Sequence, residues 1–252
     1  MRVDRILAGG ASLFALASFV ACDASAPTGT GPANPALEAR VVAPELPDPS
    51  QFVRVIDNPF FPLIPGTTFR YRARTEEGVE TNTVQVTRDT KSILGIAATV
   101  VRDRVFVNGE LTEDTFDWYA QDVRGNVWYL GEHSCEIDDG QCVSTEGSWE
   151  AGKSGATAGI IMWADPRAHR GKPYRQEFLA GVAEDMAKVV RLNARVVVPY
   201  GAFSHCLLTM EWTPLEPGPR ERKYYCRGVG QVLTVEKADG RVRSELISIS
   251  RS

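Results

Sequence analysis

The side chains best suited to chemistry are few and poorly spaced for it. The histidines His133, His169 and His205 stand far apart in the sequence, and none has the spacing of a metal site or a catalytic triad. The chain also lacks a nucleophile elbow, a zinc-protease motif and a phosphate-binding loop. The sequence therefore predicts no catalytic residue, no metal site and no cofactor.

Carboxylates are the remaining candidates for catalysis. Glu150, Glu177, Glu184 and Asp185 lie in one stretch of the sequence. Two of them in a pocket that raises one pKa could work as general acid and general base, as an envelope hydrolase would require. Acidic side chains on a solvated strand face are commoner. Non-catalytic binding is therefore the preferred interpretation, and a hydrolase with a carboxylate pair is the alternative.

The strongest candidate for binding is the segment 146–173. It is Gly-rich and irregular, yet it contains Trp149, Glu150, Met162 and Trp163. Long loops in compact domains often form lids or binding surfaces. This segment either plugs the open face of a sheet or lines a cavity for an apolar ligand beneath it, and these four residues are the predicted ligand contacts. A protein partner in the envelope is the other candidate.

The elements that must position these residues are strands. From residue 67 onward, short runs of alternating or β-branched residues are separated by turn signals such as Asn108 and Gly109. The predicted strands are 67–74, 79–88, 96–107, 111–122, 126–131, 175–178, 183–192, 196–199, 204–213, 221–227, 231–236 and 242–250. The predicted fold is mainly β, a large antiparallel sheet or a clasped double β-meander with 146–173 as a long covering loop.

The sequence also contains a weak internal similarity between two regions that lie 106 residues apart. Trp118 and Tyr119 fall on Tyr224 and Tyr225, and the glycines that begin the next strand follow in both halves. An internal duplication explains the pattern, and chance likeness between two β-meanders is the other explanation.

Four of the five cysteines lie in the predicted β region, and an even number suits an oxidising compartment. Cys135 and Cys142 flank a tight polar turn. The midpoint between Cys206 and Cys226 falls in a run of turn-forming residues, which places these cysteines opposite each other across a hairpin. The sequence predicts disulfides Cys135–Cys142 and Cys206–Cys226. A zinc site is the weaker alternative, because neither CxxC nor clustered histidines occur.

The N-terminus carries an export signal. Arg2 and Arg5 precede an uncharged run too short for an ordinary membrane helix. The run ends at Ala21 and Cys22, a pattern similar to a bacterial lipobox. The sequence predicts a signal peptide over 1–21, lipidation of Cys22, a Pro-rich tether over 22–50 and a β-rich domain over 51–252. Cleavage after Ala26, which would release a soluble protein, is the alternative.

Several blocks resemble a family of bacterial exported proteins and lipoproteins that has no agreed activity. They are NPFFPLIPGTTF at 58–69, DTFDWYAQD at 114–122, GNVWYLGE at 125–132 and EWTPLEPG at 211–218. The resemblance implies export and a β-rich body, and it supplies no catalytic residues. A looser likeness of architecture connects the chain with curved-sheet lipoproteins that carry lipids.

Together these features predict a lipid-anchored protein of the bacterial cell envelope, periplasmic or surface-facing, which binds an apolar small molecule or an envelope protein. A structural surface lipoprotein is a further alternative. The formal charge of -4 gives no basic surface for nucleic acid, so nucleic acid is not an expected partner.

Overall fold

The computed structural model describes residues 41–216, 218, 220–236 and 242–252. The predicted signal peptide, the predicted lipidation site Cys22 and residues 23–40 of the predicted tether lie outside the described residues. No helix within the described ranges is long and apolar enough to cross a membrane. The last part of the predicted tether contacts the folded body: Leu46 packs against the core, and the Arg175 Nε atom donates a 2.8 Å hydrogen bond to the Val41 carbonyl oxygen.

Antiparallel strands make up most of the described chain. A short 3₁₀ helix (Pro49–Gln51) precedes them. The strands are β1 (Phe52–Val53), β2 (Thr67–Arg74), β3 (Val79–Ile93), β4 (Ile96–Val107), β5 (Glu110–Asp122), β6 (Val127–His133), β7 (Glu136–Asp138), β8 (Gln141–Ser144), β9 (Trp149–Glu150), β10 (Thr157–Met162), β11 (Pro173–Arg175), β12 (Glu177–Phe178), β13 (Met186–Val198), β14 (Gly201–Trp212), β15 (Glu221–Cys226), β16 (Gly230–Glu236) and β17 (Arg243–Arg251).

The sheet consists of two meanders that are joined edge to edge. Strands β2 to β6 form one meander and β13 to β17 form the other, and β17 pairs with β2 to connect them. The outer edges meet in the short segment β11–β12. There β11 pairs with β13, β12 pairs with β10, and β10 pairs with β6. The sheet therefore curls until it nearly closes, and the predicted mainly β, antiparallel fold is confirmed.

Alternation of side chains explains which residues enter the interior. In β2 every second residue is buried, and the inward set includes Phe69, Tyr71 and Ala73. The β4–β5 turn works because Asn108 and Gly109 both adopt positive φ, 52° and 91°, which the primed turns of tight hairpins require.

The segment 146–173 contributes strands and not only a covering loop. It contains β9 and β10, and β10 lies within the sheet between β6 and β12. The predicted strands 183–192 and 196–199 are one strand, β13. The polar residues between the two predicted strands do not interrupt β13, because its pairing with β14 shifts register there, for example between Arg191 and Ala194.

The two meanders have register shifts in their strand pairing at matching positions. The pairing of β5 with β6 shifts register between Trp118 and Tyr119, and the pairing of β15 with β16 shifts between Tyr224 and Tyr225. These positions are the ones related by the sequence offset. The ring of Phe61 approaches Tyr119 at 5.5 Å and Tyr225 at 6.1 Å between centroids. The matched bulges support an internal duplication.

Both predicted cysteine pairs are present as disulfides. Cys135 and Cys142 have Cα atoms 5.6 Å apart beside the β7–β8 hairpin. Cys206 and Cys226 connect β14 to β15 with Cα atoms 4.2 Å apart. The neighbouring pairing of Leu207 with Tyr225 is the register that the hairpin midpoint predicts.

Candidate functional site

The interior of the sheet contains a group of carboxylates, here called the acidic cluster. Five are buried and one, Glu113, is half-buried; the buried ones are Glu80, Asp103, Asp117, Glu132 and Glu177. Strand alternation places them there. Asp103 follows Val101 by two residues in β4 and precedes Val105 by two, and all three are buried on the same face. Buried acids are rare unless they are paired or hydrogen-bonded, so each partner needs to be identified.

Asp117 and Glu132 share one tyrosine hydroxyl. The Tyr129 hydroxyl lies 2.6 Å from Asp117 Oδ1 and 3.0 Å from Glu132 Oε2. A phenol carries a single hydrogen, so two hydrogen bonds require a proton on one of the carboxyl groups. Burial raises the pKa of both acids, and the nearby Glu177 raises that of Glu132 further. This part of the cluster therefore holds a proton in the pH range in which exposed carboxylates are ionised.

Asp103 is only half satisfied. Its Oδ1 atom accepts a 2.7 Å hydrogen bond from Asn82 Nδ2, whereas its Oδ2 atom and the Asn82 Oδ1 atom have no partner. Asp117 Oδ2 is also without a hydrogen bond of acceptable geometry, although Tyr119 is close enough to lower the pKa of Asp117. Burial raises the pKa of Asp103, and the charges of Asp117 and Glu113 add to the effect. Asp103 Oδ2 and Asn82 Oδ1 thus lack donors, whereas the Tyr119 hydroxyl is the donor that lies near Asp117.

The predicted ligand residue Trp149 lies near Glu177, a member of the acidic cluster. The Trp149 ring lies edge-on to Tyr129 with centroids 5.3 Å apart. The Glu177 carboxylate makes no hydrogen bond of acceptable geometry, although Trp149 and the Asp185 backbone lie close enough to lower its pKa. Burial and the charge of Asp185 outweigh them and raise it.

The other predicted carboxylates are separated from this interior. Glu150 forms ion pairs with Lys91 at 2.8 Å and Lys153 at 2.9 Å, and Glu184 lies 3.7 Å from the Arg175 guanidinium. Of the stretch proposed for a carboxylate pair, Glu177 and Asp185 lie close enough for the charge of Asp185 to raise the pKa of Glu177.

The remaining predicted ligand residues, Met162 and Trp163, make packing contacts. Met162 is fully buried in β10. Trp163 stacks on His169 with ring centroids 3.6 Å apart and meets Tyr174 edge-on at 5.6 Å. Trp149, Glu150 and Trp163 thus lie in three different environments. Contact of these residues with an apolar ligand stays a prediction.

A buried cation lies between two acids in the other half of the sheet. The Lys223 ammonium lies 3.1 Å from Glu211 and 3.3 Å from Glu221, and Glu211 also accepts hydrogen bonds from Thr209 and Tyr225. Burial lowers the pKa of Lys223, but the two carboxylates outweigh that effect and raise it above its ordinary value.

A cleft of about 510 Å³ opens on the outside, between β1 and the β5–β6 turn. Its acidic side chains are engaged within the protein. Asp57 accepts a 2.7 Å hydrogen bond from Gln121, and Asp122 accepts from Asn126 and Trp128. Elsewhere in the described ranges, no three histidine, cysteine or acidic side chains are arranged to hold a metal ion.

No protein-family model and no curated protein matches the chain. Among solved structures, a proposed lipoprotein from Parabacteroides distasonis aligns with it at a TM-score of 0.40 and 10% identity. The alignment covers 76% of this chain and 98% of that one. At this distance the comparison carries no statement about activity.

The sequence interpretation missed the acidic cluster, although a signal was available. In β4, Val101, Asp103 and Val105 occupy alternate positions, so the acid has to share the buried face of its apolar neighbours. The same argument places Asp117 beside Tyr119 in β5.

Proposed function

We propose that this protein is a lipid-anchored protein of the cell envelope that binds a small polar molecule inside its curled sheet and does not transform it. The observation that carries the proposal is the set of buried, unpaired acceptor oxygens in the acidic cluster. An unsatisfied buried polar group costs about 1–3 kcal/mol. A ligand that donates hydrogen bonds to these oxygens would recover that free energy.

The proposed location draws on the covalent chemistry of the chain. Two disulfides suit a compartment outside the cytoplasm, because cytosolic thiols are kept reduced. The sequence around Cys22 supplies the proposed anchor, and the Pro-rich residues that follow it would hold the sheet away from the bilayer.

One observation favours a second candidate function, a hydrolase. Asp117 and Glu132, joined by Tyr129, form a carboxyl pair that holds a proton, which is what a general acid needs. Both are fully buried, so a scissile bond would have to enter the sheet. Binding needs only the oxygens that already lack donors.

Native mass spectrometry of the wild-type protein purified from envelopes tests the binding proposal. We expect a retained small molecule of unchanged mass, and we expect Asp117→Asn to lose it because the unpaired Oδ2 atom becomes an amide donor. Asp89→Asn, an exposed change in β3, is the matched control and should keep the ligand. Equal retention by both variants would contradict an interior site, and a retained product with an altered mass would favour the hydrolase.

A further inference from the structure

The two halves of the sheet differ at one pair of matching positions. At the offset of 106 residues, Asp117 in β5 corresponds to Lys223 in β15. Both are buried: Asp117 has no exposed surface and Lys223 is 4% exposed. Each lies two residues before the tyrosine, Tyr119 or Tyr225, whose ring approaches Phe61. A cation in one half of the interior is therefore replaced by an anion in the other.

The half that contains Lys223 has a cation among its carboxylates. Its ammonium lies within 3.3 Å of Glu211 and Glu221, so a positive group donates hydrogen bonds to two acids inside the sheet. This arrangement shows that the fold accommodates a buried alkylammonium when carboxylates surround it.

The half that contains Asp117 has the acids without the cation. Among the described residues, no lysine or arginine forms an ion pair with Asp103, Asp117, Glu80 or Glu113. Lys223 is the basic residue whose charge acts on Asp117, and it is already bonded to two other acids. The positive charge that would match this half is not supplied by the described chain.

The buried atoms without hydrogen bonds indicate which chemical group could bind in this half of the sheet. Asp103 Oδ2 and Asn82 Oδ1 have no hydrogen bond, and the Tyr119 hydroxyl is the donor that lies near Asp117. The side chains of Asn82, Asp103 and Asp117 are at least 98% buried. Their side-chain oxygens accept hydrogen bonds, and the two carboxyl groups cannot donate one while they are ionised. In that state a partner has to donate several hydrogen bonds at once. The described carboxylates are not grouped for a metal ion, whereas a primary ammonium offers three donors in one charged group.

We propose that the acidic cluster binds an organic cation through a primary ammonium group, which lies between Asp103 and Asp117 and is bonded by Asn82. The proposal deepens, and rests on, the proposed interior binding.

The test uses the full chain and putrescine, a diamine of simple structure, with butanediol as the neutral molecule of the same length. Titration calorimetry and thermal denaturation should show that putrescine binds and stabilises the wild-type protein and that butanediol does neither. Asp103→Asn and Asp117→Asn should each weaken putrescine binding by about tenfold or more, because a charge-assisted hydrogen bond is lost. Asp89→Asn, exposed in β3, should bind as the wild type does.

The possible outcomes separate this proposal from the proposed function. If putrescine leaves the wild type unchanged while an uncharged or anionic molecule is retained from the envelope and lost in Asp117→Asn, the interior binds a ligand and its cationic nature is refuted. The same holds if calcium or magnesium binds in place of putrescine. If nothing is retained and no amine binds, both proposals fail. Equal weakening in Asp89→Asn would show that putrescine binds to surface charge and would overturn the site.

Discussion

The buried carboxyl group of Glu80 provides a direct test of the acidic interior. Glu80 is 4% exposed in β3. Burial raises its pKa from 4.5 to about 8, and the charges of Glu236 and Glu113 contribute to the rise. The Glu80→Gln variant keeps the shape of the side chain and removes its titration.

The sign of the effect follows from proton linkage. Between pH 4.5 and about 8 the unfolded chain has released the Glu80 proton and the folded protein still holds it, so stability falls as the pH rises through this window. Each unit of pKa difference corresponds to about 1.4 kcal/mol. From pH 5 to pH 8 the wild type should therefore lose about 3–5 kcal/mol that Glu80→Gln does not lose.

Urea unfolding at a series of pH values measures this difference. Other buried acids titrate in both proteins, so only the difference between variant and wild type reports on Glu80. We expect the variant to gain on the wild type steadily from pH 5 to pH 8. Glu76→Gln, an exposed change next to β2, should keep a constant difference. A constant difference for Glu80→Gln as well would refute the argument that this carboxyl group is buried and protonated.

Three further predictions concern the anchor, a disulfide and the tryptophans. Cys22→Ser should abolish fatty-acid labelling and membrane retention, and continued retention in fractionated cells would contradict lipidation. Replacing Cys206 and Cys226 together by Ala should lower the unfolding free energy by about 3 kcal/mol in chemical denaturation, and no change would indicate that the bond does not constrain the chain. Trp149→Ala should cost about 3–5 kcal/mol because the ring is buried, and Trp163→Ala should cost less. Release of a bound lipid-like mass by either variant would favour the apolar ligand.

The sequence was most informative where local chemistry decides the structure. Residues 67–74 and 96–107 form strands with the predicted bounds. The alternation of apolar and polar side chains identifies each as a strand, and the Asn-Gly turn marks where 96–107 ends. The disulfide between Cys206 and Cys226 was predictable for the same reason, since a hairpin register follows from its turn. These features require no knowledge of distant parts of the chain.

Closure of the sheet was not predictable in this way. Strand β10 occupies its place because β6 and β12 offer edges on both sides, and neither edge is visible from the glycine-rich sequence around it. At Gly159 an added Cβ atom would lie 2.4 Å from the Gln176 backbone. The glycine is thus needed for close approach to the neighbouring chain, although in the sequence it resembles a loop residue.

The acidic cluster links stability, protons and ligand through the same oxygen atoms. The cost of burying Asp103 and Asp117 as anions is avoided when protons neutralise them, and the two hydrogen bonds of Tyr129 already require a proton on Asp117 or Glu132. An ammonium group would neutralise the same carboxylates while they are ionised. Under the proposed binding, proton and cation would therefore compete for one site. Because burial raises the pKa of Asp117 to about 8, affinity for the cation should increase as the pH rises toward that value. In the second meander Lys223, which is part of the chain itself, lies beside Glu211 and Glu221. If the proposed binding holds, one of the two meanders with matched bulges would be a fixed support and the other a binding site.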